Sequence, residues 1–172
     1  MKKLTLPLSK DIIKGLKAGD SVLLNGVILT ARDSAHKRIF ALLEANEELP
    51  FEIENAVIYY AGPCPAKPDK PSGSCGPTTS ARMDFFAPRL LDLGLGAIIG
   101  KGEMCDKVRE AIKRNNCVYF SAIGGAGALY GNCIKSSVCI AFDDLLSEAV
   151  YKLEVENFPA VVAYDAHGGS IY

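Results

Sequence analysis

Ala56-Val57-Ile58-Tyr59-Tyr60-Ala61, Leu95-Gly96-Ala97-Ile98-Ile99 and Cys117-Val118-Tyr119-Phe120-Ser121-Ala122 are three short, apolar, β-prone runs. Each is too short for a helix and is bounded by Gly, Pro or Asn, so each reads as a buried strand. Between the last two, residues 104–114 carry a helical pattern. Between the first two, Met83, Phe86, Ala87, Leu90 and Leu91 recur at helical spacing after Thr78-Thr79-Ser80. Strand–helix–strand alternation places neighbouring strands parallel, so residues 56–122 predict a partly parallel sheet. The fold class expected is α/β (mixed), one domain over residues 1–172, with a central mixed sheet and about three main helices.

The flanks add detail. Lys3–Leu6 alternates and reads as a strand. Ser9 is a good N-cap for a helix over 11–17, with Gly19 beyond its end. Residues 21–30 are two apolar runs around Asn25-Gly26, which predicts a hairpin with a type I′ turn. Residues 33–48 predict a helix capped by Asp33, with Ala35, Ile39, Leu42 and Leu43 on one face. Residues 133–163 read mainly as strands, with a helical turn near 143–147. Pro88 predicts a kink or an early end in the 78–91 helix. Gly62–Pro77 holds five Pro and three Gly in sixteen residues. Such a stretch is irregular, and a loop of that length inside a domain is a functional candidate or a disordered segment.

Composition bounds the function. The chain has 172 residues, 49% apolar and 23% charged, with a formal net charge of −1. That suits a packed core and supplies no bulk field for nucleic acid or anionic lipid, so neither partner is expected. Asn115–Ile134 is free of charge and long enough to span a bilayer, but four Gly, three Asn and a Ser mark it as a buried strand entering a Gly-rich loop. Lys2 and Lys3 mimic a signal sequence, but Pro7, Lys10 and Asp11 break the apolar run that would follow. Six Cys without a C-x-x-C pair read as free thiols in a reducing cytoplasm. Two distant His and the Cys spacings match no zinc or iron–sulfur pattern, so no metal ligands are expected on this chain.

Three cations at the ends of elements stand out. A helix opened by Thr78-Thr79-Ser80 attracts an anion through its unpaired N–H groups. Arg82, four residues after Thr78, would project from the same side with a fork suited to a carboxylate or phosphate. The plain alternative is capping by Thr78 or Thr79 with a solvated Arg82. Arg32 lies at the end of the second strand run. Lys101 lies between two Gly just after a buried strand, at the end where α/β sheets bind ligands. Either is equally at home as a solvated surface charge. Together the three point to a substrate with more than one carboxylate. Arg109, by contrast, is expected to be solvated. Gly124-Gly125-Ala126-Gly127 to Gly131 mimics a dinucleotide fingerprint, but its third Gly is displaced and β-prone residues follow. It reads as close backbone packing or as a stand-alone phosphate- or nucleotide-binding loop.

Thr30-Ala31-Arg32-Asp33-Ser34-Ala35-His36, Gly62-Pro63, Gly76-Pro77-Thr78-Thr79-Ser80-Ala81-Arg82-Met83-Asp84 and Gly100-Lys101-Gly102 occur in this order. In that arrangement the chain resembles the C-terminal domain, or separate β subunit, of class I iron–sulfur-dependent fumarate hydratases, with the L-tartrate dehydratase β subunit as a close relative. The resemblance implies a swivelling β/β/α domain. It implies a hydro-lyase subunit for reversible hydration of fumarate to L-malate, or alternatively for tartrate dehydration. It implies a hetero-oligomer with an α subunit that carries a [4Fe–4S] cluster, which this chain would not ligate. The site would lie between the two and take a four-carbon dicarboxylate. Arg32, Arg82 and Lys101 would hold its carboxylates, and Thr78 would stand where the proton is removed. Cys64 and Cys75 receive no role.

Overall fold

The computed structural model describes all 172 residues. The strands are β1 Lys2–Thr5, β2 Ser21–Thr30, β3 Val57–Tyr59, β4 Ala97–Gly100, β5 Val118–Ser121, β6 Ile134–Ala141 and β7 Val150–Tyr164. They form one sheet in the order β1-β2-β3-β4-β5-β7-β6, and β7 also pairs with β2, which closes it. β1 to β5 are parallel neighbours, whereas β7 runs antiparallel to β2, β5 and β6. The mixed α/β class and the partly parallel sheet are as the sequence predicts.

The two-residue side-chain period of a strand sorts the core into two. Val57, Tyr59, Ala97, Ile99, Val118 and Phe120 point inward against Leu24, Leu153 and Phe158 of β2 and β7. Their neighbours Ile58, Ile98 and Tyr119 point outward against Ile39, Leu90 and Ile112 of the helices. Two β layers and one α layer result, with the middle strands buried on both faces, which is why they read as unbroken apolar runs.

The helices are α1 Lys10–Lys14, α2 Asp33–Glu44, α3 Ala87–Asp92, α4 Asp106–Arg114 and α5 Gly127–Cys133. Ser9 caps α1 as expected, its hydroxyl accepting from the Ile12 N–H at 3.3 Å. Three helices reach seven residues, but the third is not the expected one. The 78–91 helix is replaced by a four-residue 3-10 turn, Ser80–Met83, and then by α3, in which Pro88 sits at the start rather than at a kink. Pro is suited to that place because the first helical N–H groups have no partner anyway. α5 lies inside the Gly-rich run, where no helix was expected.

Asn25-Gly26 is not a hairpin. β2 runs straight through, and the pair forms a bulge against β7, where the register shifts between Leu24 and Gly26. Gly26 has φ +124°, and a Cβ there would lie 2.9 Å from the Leu6 carbonyl oxygen. A turn-type dipeptide supplies a positive φ to either structure, and pairing with β1 on one edge and β7 on the other decides for the bulge.

The 62–77 loop goes out and back as a narrow ladder. Ala61 bridges Pro77, and the Cys64 N–H donates to the Ser74 carbonyl at 2.9 Å. Its returning limb rests on α5 through glycine contacts. A Cβ on Gly131 would stand 2.6 Å from the Gly73 carbonyl oxygen, and one on Gly127 would stand 3.2 Å from the Gly76 nitrogen. Gly127 and Gly131 thus fulfil the packing reading of the Gly-rich run. Gly131→Ala tests this. Helix propensity alone would favour Ala by about 1 kcal/mol. The obstacle is backbone, so we expect a net loss of roughly 1–3 kcal/mol in chemical denaturation. Leu129→Ala, on the exposed face of α5, should change stability by about 0.5 kcal/mol or less.

Candidate active site

The carboxyl ends of β2, β3 and β4 open side by side at one rim of the closed sheet. Thr30, Tyr59 and Gly100 are their last residues. Arg32 follows β2, the 62–77 loop leaves and returns beside β3, and Lys101 follows β4. Open α/β sheets bind ligands at such ends because the outgoing loops converge there.

Thr78 is fixed by its N–H, which donates to the Tyr60 carbonyl at 2.7 Å. Thr79 bridges Lys101 in parallel. Thr78 is therefore extended backbone beside β3 and β4, not the first turn of a helix. The helix-dipole argument for an anion at Thr78 fails, because Thr78-Thr79 lead only into a four-residue 3-10 turn. What gathers the cations is sheet geometry and a set of polar clamps.

Ser80 is the first clamp. Its N–H donates to the Lys101 carbonyl at 2.9 Å, and its hydroxyl accepts the Lys101 N–H at 2.9 Å. The same hydroxyl pairs with Tyr119 at 2.9 Å, whose oxygen donates onward to the Gly102 carbonyl at 2.7 Å. A Cβ on Gly100 would fall 1.9 Å from the Ser80 hydroxyl, so Gly is required there. The Lys101 side chain then runs past Gly124, where a Cβ would lie 3.5 Å from its Nζ.

Asp33 is the second clamp. Its Oδ1 accepts from Arg82 Nε at 3.0 Å. Nε is thereby occupied and the two terminal nitrogens of the Arg82 fork carry no hydrogen bond within the chain, on a side chain about half exposed. Arg32, immediately before Asp33, caps α2 with extended backbone. Its side chain passes Gly62, where a Cβ would meet Arg32 Cδ at 3.2 Å. Asp84 serves a structural end, with both carboxylate oxygens accepting the Cys105 N–H at 3.2 Å ahead of α4. Burial raises its carboxyl above the usual range.

All four residues singled out by sequence, Arg32, Thr78, Arg82 and Lys101, thus converge on one rim. Asp33, Gly62 and Gly124 belong to the same place and were missed as site residues. Asp33 was read only as a cap, and a glycine's use as clearance for a particular side chain shows only in three dimensions. None of the three main clefts is lined by these four residues. The rim is partly open to solvent: Arg82 is exposed, Arg32, Thr78 and Lys101 are half-buried, and the apolar side chains of Phe85, Ile123 and Leu146 in the adjoining segments are exposed. Arg109 is not simply solvated. It lies over the Tyr164 ring at 5.4 Å and pairs with Asp106 at 3.4 Å. No three His, Cys, Asp or Glu side chains come together as a metal set, and the six Cys are free, so the residues present do not fit an iron–sulfur cluster. No helix is long and apolar enough to cross a membrane.

The Fumarase C-terminus family model matches residues 2–172. The chain is 44% identical over 171 residues to "Putative L(+)-tartrate dehydratase subunit beta" of Methanocaldococcus jannaschii, covering 96% of this chain and 88% of that one. It is 39% identical over 156 residues to "Fumarate hydratase 2" of Leishmania major, covering 90% of this chain and 28% of that one. It is 39% identical over 151 residues to "Fumarate hydratase class I, anaerobic" of Escherichia coli, covering 87% and 28%. The chain therefore spans most of the first relative and under a third of the other two.

Ser80→Ala leaves the Lys101 N–H without its acceptor, and should cost about 1–3 kcal/mol in urea denaturation. His36, under Arg32, is fully buried, and burial lowers its pKa to about 4 from an ordinary 6.5. The unfolded chain thus binds a proton between those values that the folded chain refuses. Stability is intact above pH 6.5 and falls as the pH drops towards 4, by about 2 kcal/mol at pH 5. His36→Leu should flatten that part of the stability–pH curve.

Proposed function

The chain belongs to the Fumarase C-terminus family, and from that premise we propose that it is the β subunit of a hydro-lyase acting on a four-carbon dicarboxylate. The observation that carries the reading is the convergence of Arg32, Arg82, Lys101 and Thr78 on one open rim. Three cations with free donors suit a substrate with two carboxylates, and an open rim suits a site completed by another polypeptide. The reaction proposed is the reversible hydration of fumarate to L-malate. The similarity to the tartrate dehydratase β subunit keeps tartrate dehydration as a second reading.

In this reading Arg82 grips one carboxylate with the two nitrogens that Asp33 leaves free. Arg32 and Lys101 approach the substrate from either side of Thr78. Eliminating water from malate needs removal of the proton on the carbon next to the one losing its hydroxyl. Thr78 stands where that proton would be taken. A hydroxyl is a weak base, so its activation would come from the cations around it, which lower the cost of its negative form. The [4Fe–4S] cluster belongs, in this proposal, to the α subunit, and no residue of this chain is assigned to it. The free thiols are consistent with a cytoplasmic setting.

The test is a steady-state assay of the chain anaerobically assembled with its α partner, using malate, fumarate and both tartrate enantiomers. The chain alone should be inactive, and the assembled pair should turn over one of these substrates. Arg82→Lys keeps the charge but loses the planar fork. Loss of a charge-assisted contact worth about 2–4 kcal/mol lowers kcat/KM on the order of 30- to 1,000-fold. Lys107→Arg, on an exposed face of α4, should be silent. Full activity in Arg82→Lys, or turnover by this chain without a partner, would contradict the assignment.

A further inference from the structure

His36 sits one turn into α2 and is completely buried. Its ring packs edge-on to Tyr60, with centroids 5.5 Å apart, and against Phe86 at 5.3 Å. Nδ1 lies 2.7 Å from the Arg32 carbonyl oxygen, and the His36 backbone N–H donates to the same oxygen at 2.9 Å. A carbonyl only accepts, so Nδ1 carries the proton and Nε2 presents a lone pair. That Nε2 has no partner, and neither does the hydroxyl of the buried Tyr60.

A buried acceptor without a partner is costly. Packing alone does not call for a polar ring at this position, since Leu or Phe would fill similar space without that cost. What the imidazole supplies and an apolar side chain cannot is the Nδ1–H bond to Arg32. Arg32 needs such a hold. It is the residue at which the chain turns from β2 into α2, it has no side-chain cap bond, and its Nε is itself buried without a partner. The direction of its guanidinium therefore depends on where its own peptide is fixed.

We propose that His36 is a positioning residue for Arg32, its Nδ1–H anchoring the Arg32 carbonyl so that the guanidinium leaves the sheet past Gly62 towards the cationic rim. This rests on the reading of Arg32 as a carboxylate-holding residue, and one arm of the test is independent of that reading. His36→Leu removes the donor, whereas His36→Asn returns an amide N–H near the place of Nδ1.

In the assembled enzyme, His36→Leu should raise KM on the order of 10-fold with kcat changed less than about threefold, and His36→Asn should recover most of the KM. A merely structural role would lower thermal stability in both variants without this split or rescue. On the chain alone, 15N NMR should show the Nδ1-protonated tautomer in the wild type. The Arg32 Nε–H resonance should shift in His36→Leu and return in His36→Asn. An Nε2-protonated tautomer in the wild type overturns the proposal even if His36→Leu fails to fold. So does an Arg32 resonance indifferent to both variants. Normal NMR behaviour beside an assembled enzyme inert towards every dicarboxylate would instead condemn the functional reading and leave the positioning role standing.

Discussion

Closure of the sheet by β7 is the constraint on which the rest of the molecule depends. This strand is 15 residues long and pairs with β2 along most of its length, with β6 at its start and with β5 at its end. Without it, β1 to β5 would be an open parallel sheet with one face exposed. With it, the inner faces of two β layers bury each other, and the outer face of β3, β4 and β5 is left for the helices. Closure also fixes the ends of β2, β3 and β4 at one rim. The placement of Arg32, Thr78 and Lys101 is thus set by strand pairing across the whole chain and not by any local motif.

That division explains what sequence reading reaches. The middle strands were legible because burial on both faces leaves an unbroken apolar run, and α4 because its apolar positions recur at helical spacing. The pattern at Thr78–Leu91 misled because Met83, Leu90 and Leu91 are all buried, as a helix would require, while the backbone between them is a short 3-10 turn followed by a new helix. Asn25-Gly26 misled because a positive φ serves a bulge as well as a turn, and pairing with β1 and with the distant β7 decides between them. α5 was hidden because its glycines look like a ligand loop, whereas their bare Cα atoms admit the 62–77 loop.

The candidate site shows the same split. Arg32, Arg82, Lys101 and Thr78 were found because charged and hydroxyl residues at the ends of elements are conspicuous, and because the blocks that contain them resemble a known family. The physical reason first given for Thr78, a helix start, does not hold in the structure. Its position comes from the Tyr60 carbonyl and the Lys101 bridge. Asp33, Ser80 and Gly124 act through contacts between residues far apart in sequence, and nothing in the local pattern announces those contacts. The cations end up on an open rim beside exposed apolar side chains, an arrangement that makes sense if a second polypeptide covers it and excludes water from the charges.

The most direct test is a crystal structure of the chain assembled with the proposed α subunit and a bound dicarboxylate. Carboxylate oxygens should lie within hydrogen-bond distance of Arg32, Arg82 and Lys101, with the Asp33–Arg82 pair intact and Thr78 facing the substrate carbon between them. A dicarboxylate bound away from this rim, for instance in the cleft beside Lys67 and Lys70, would contradict it.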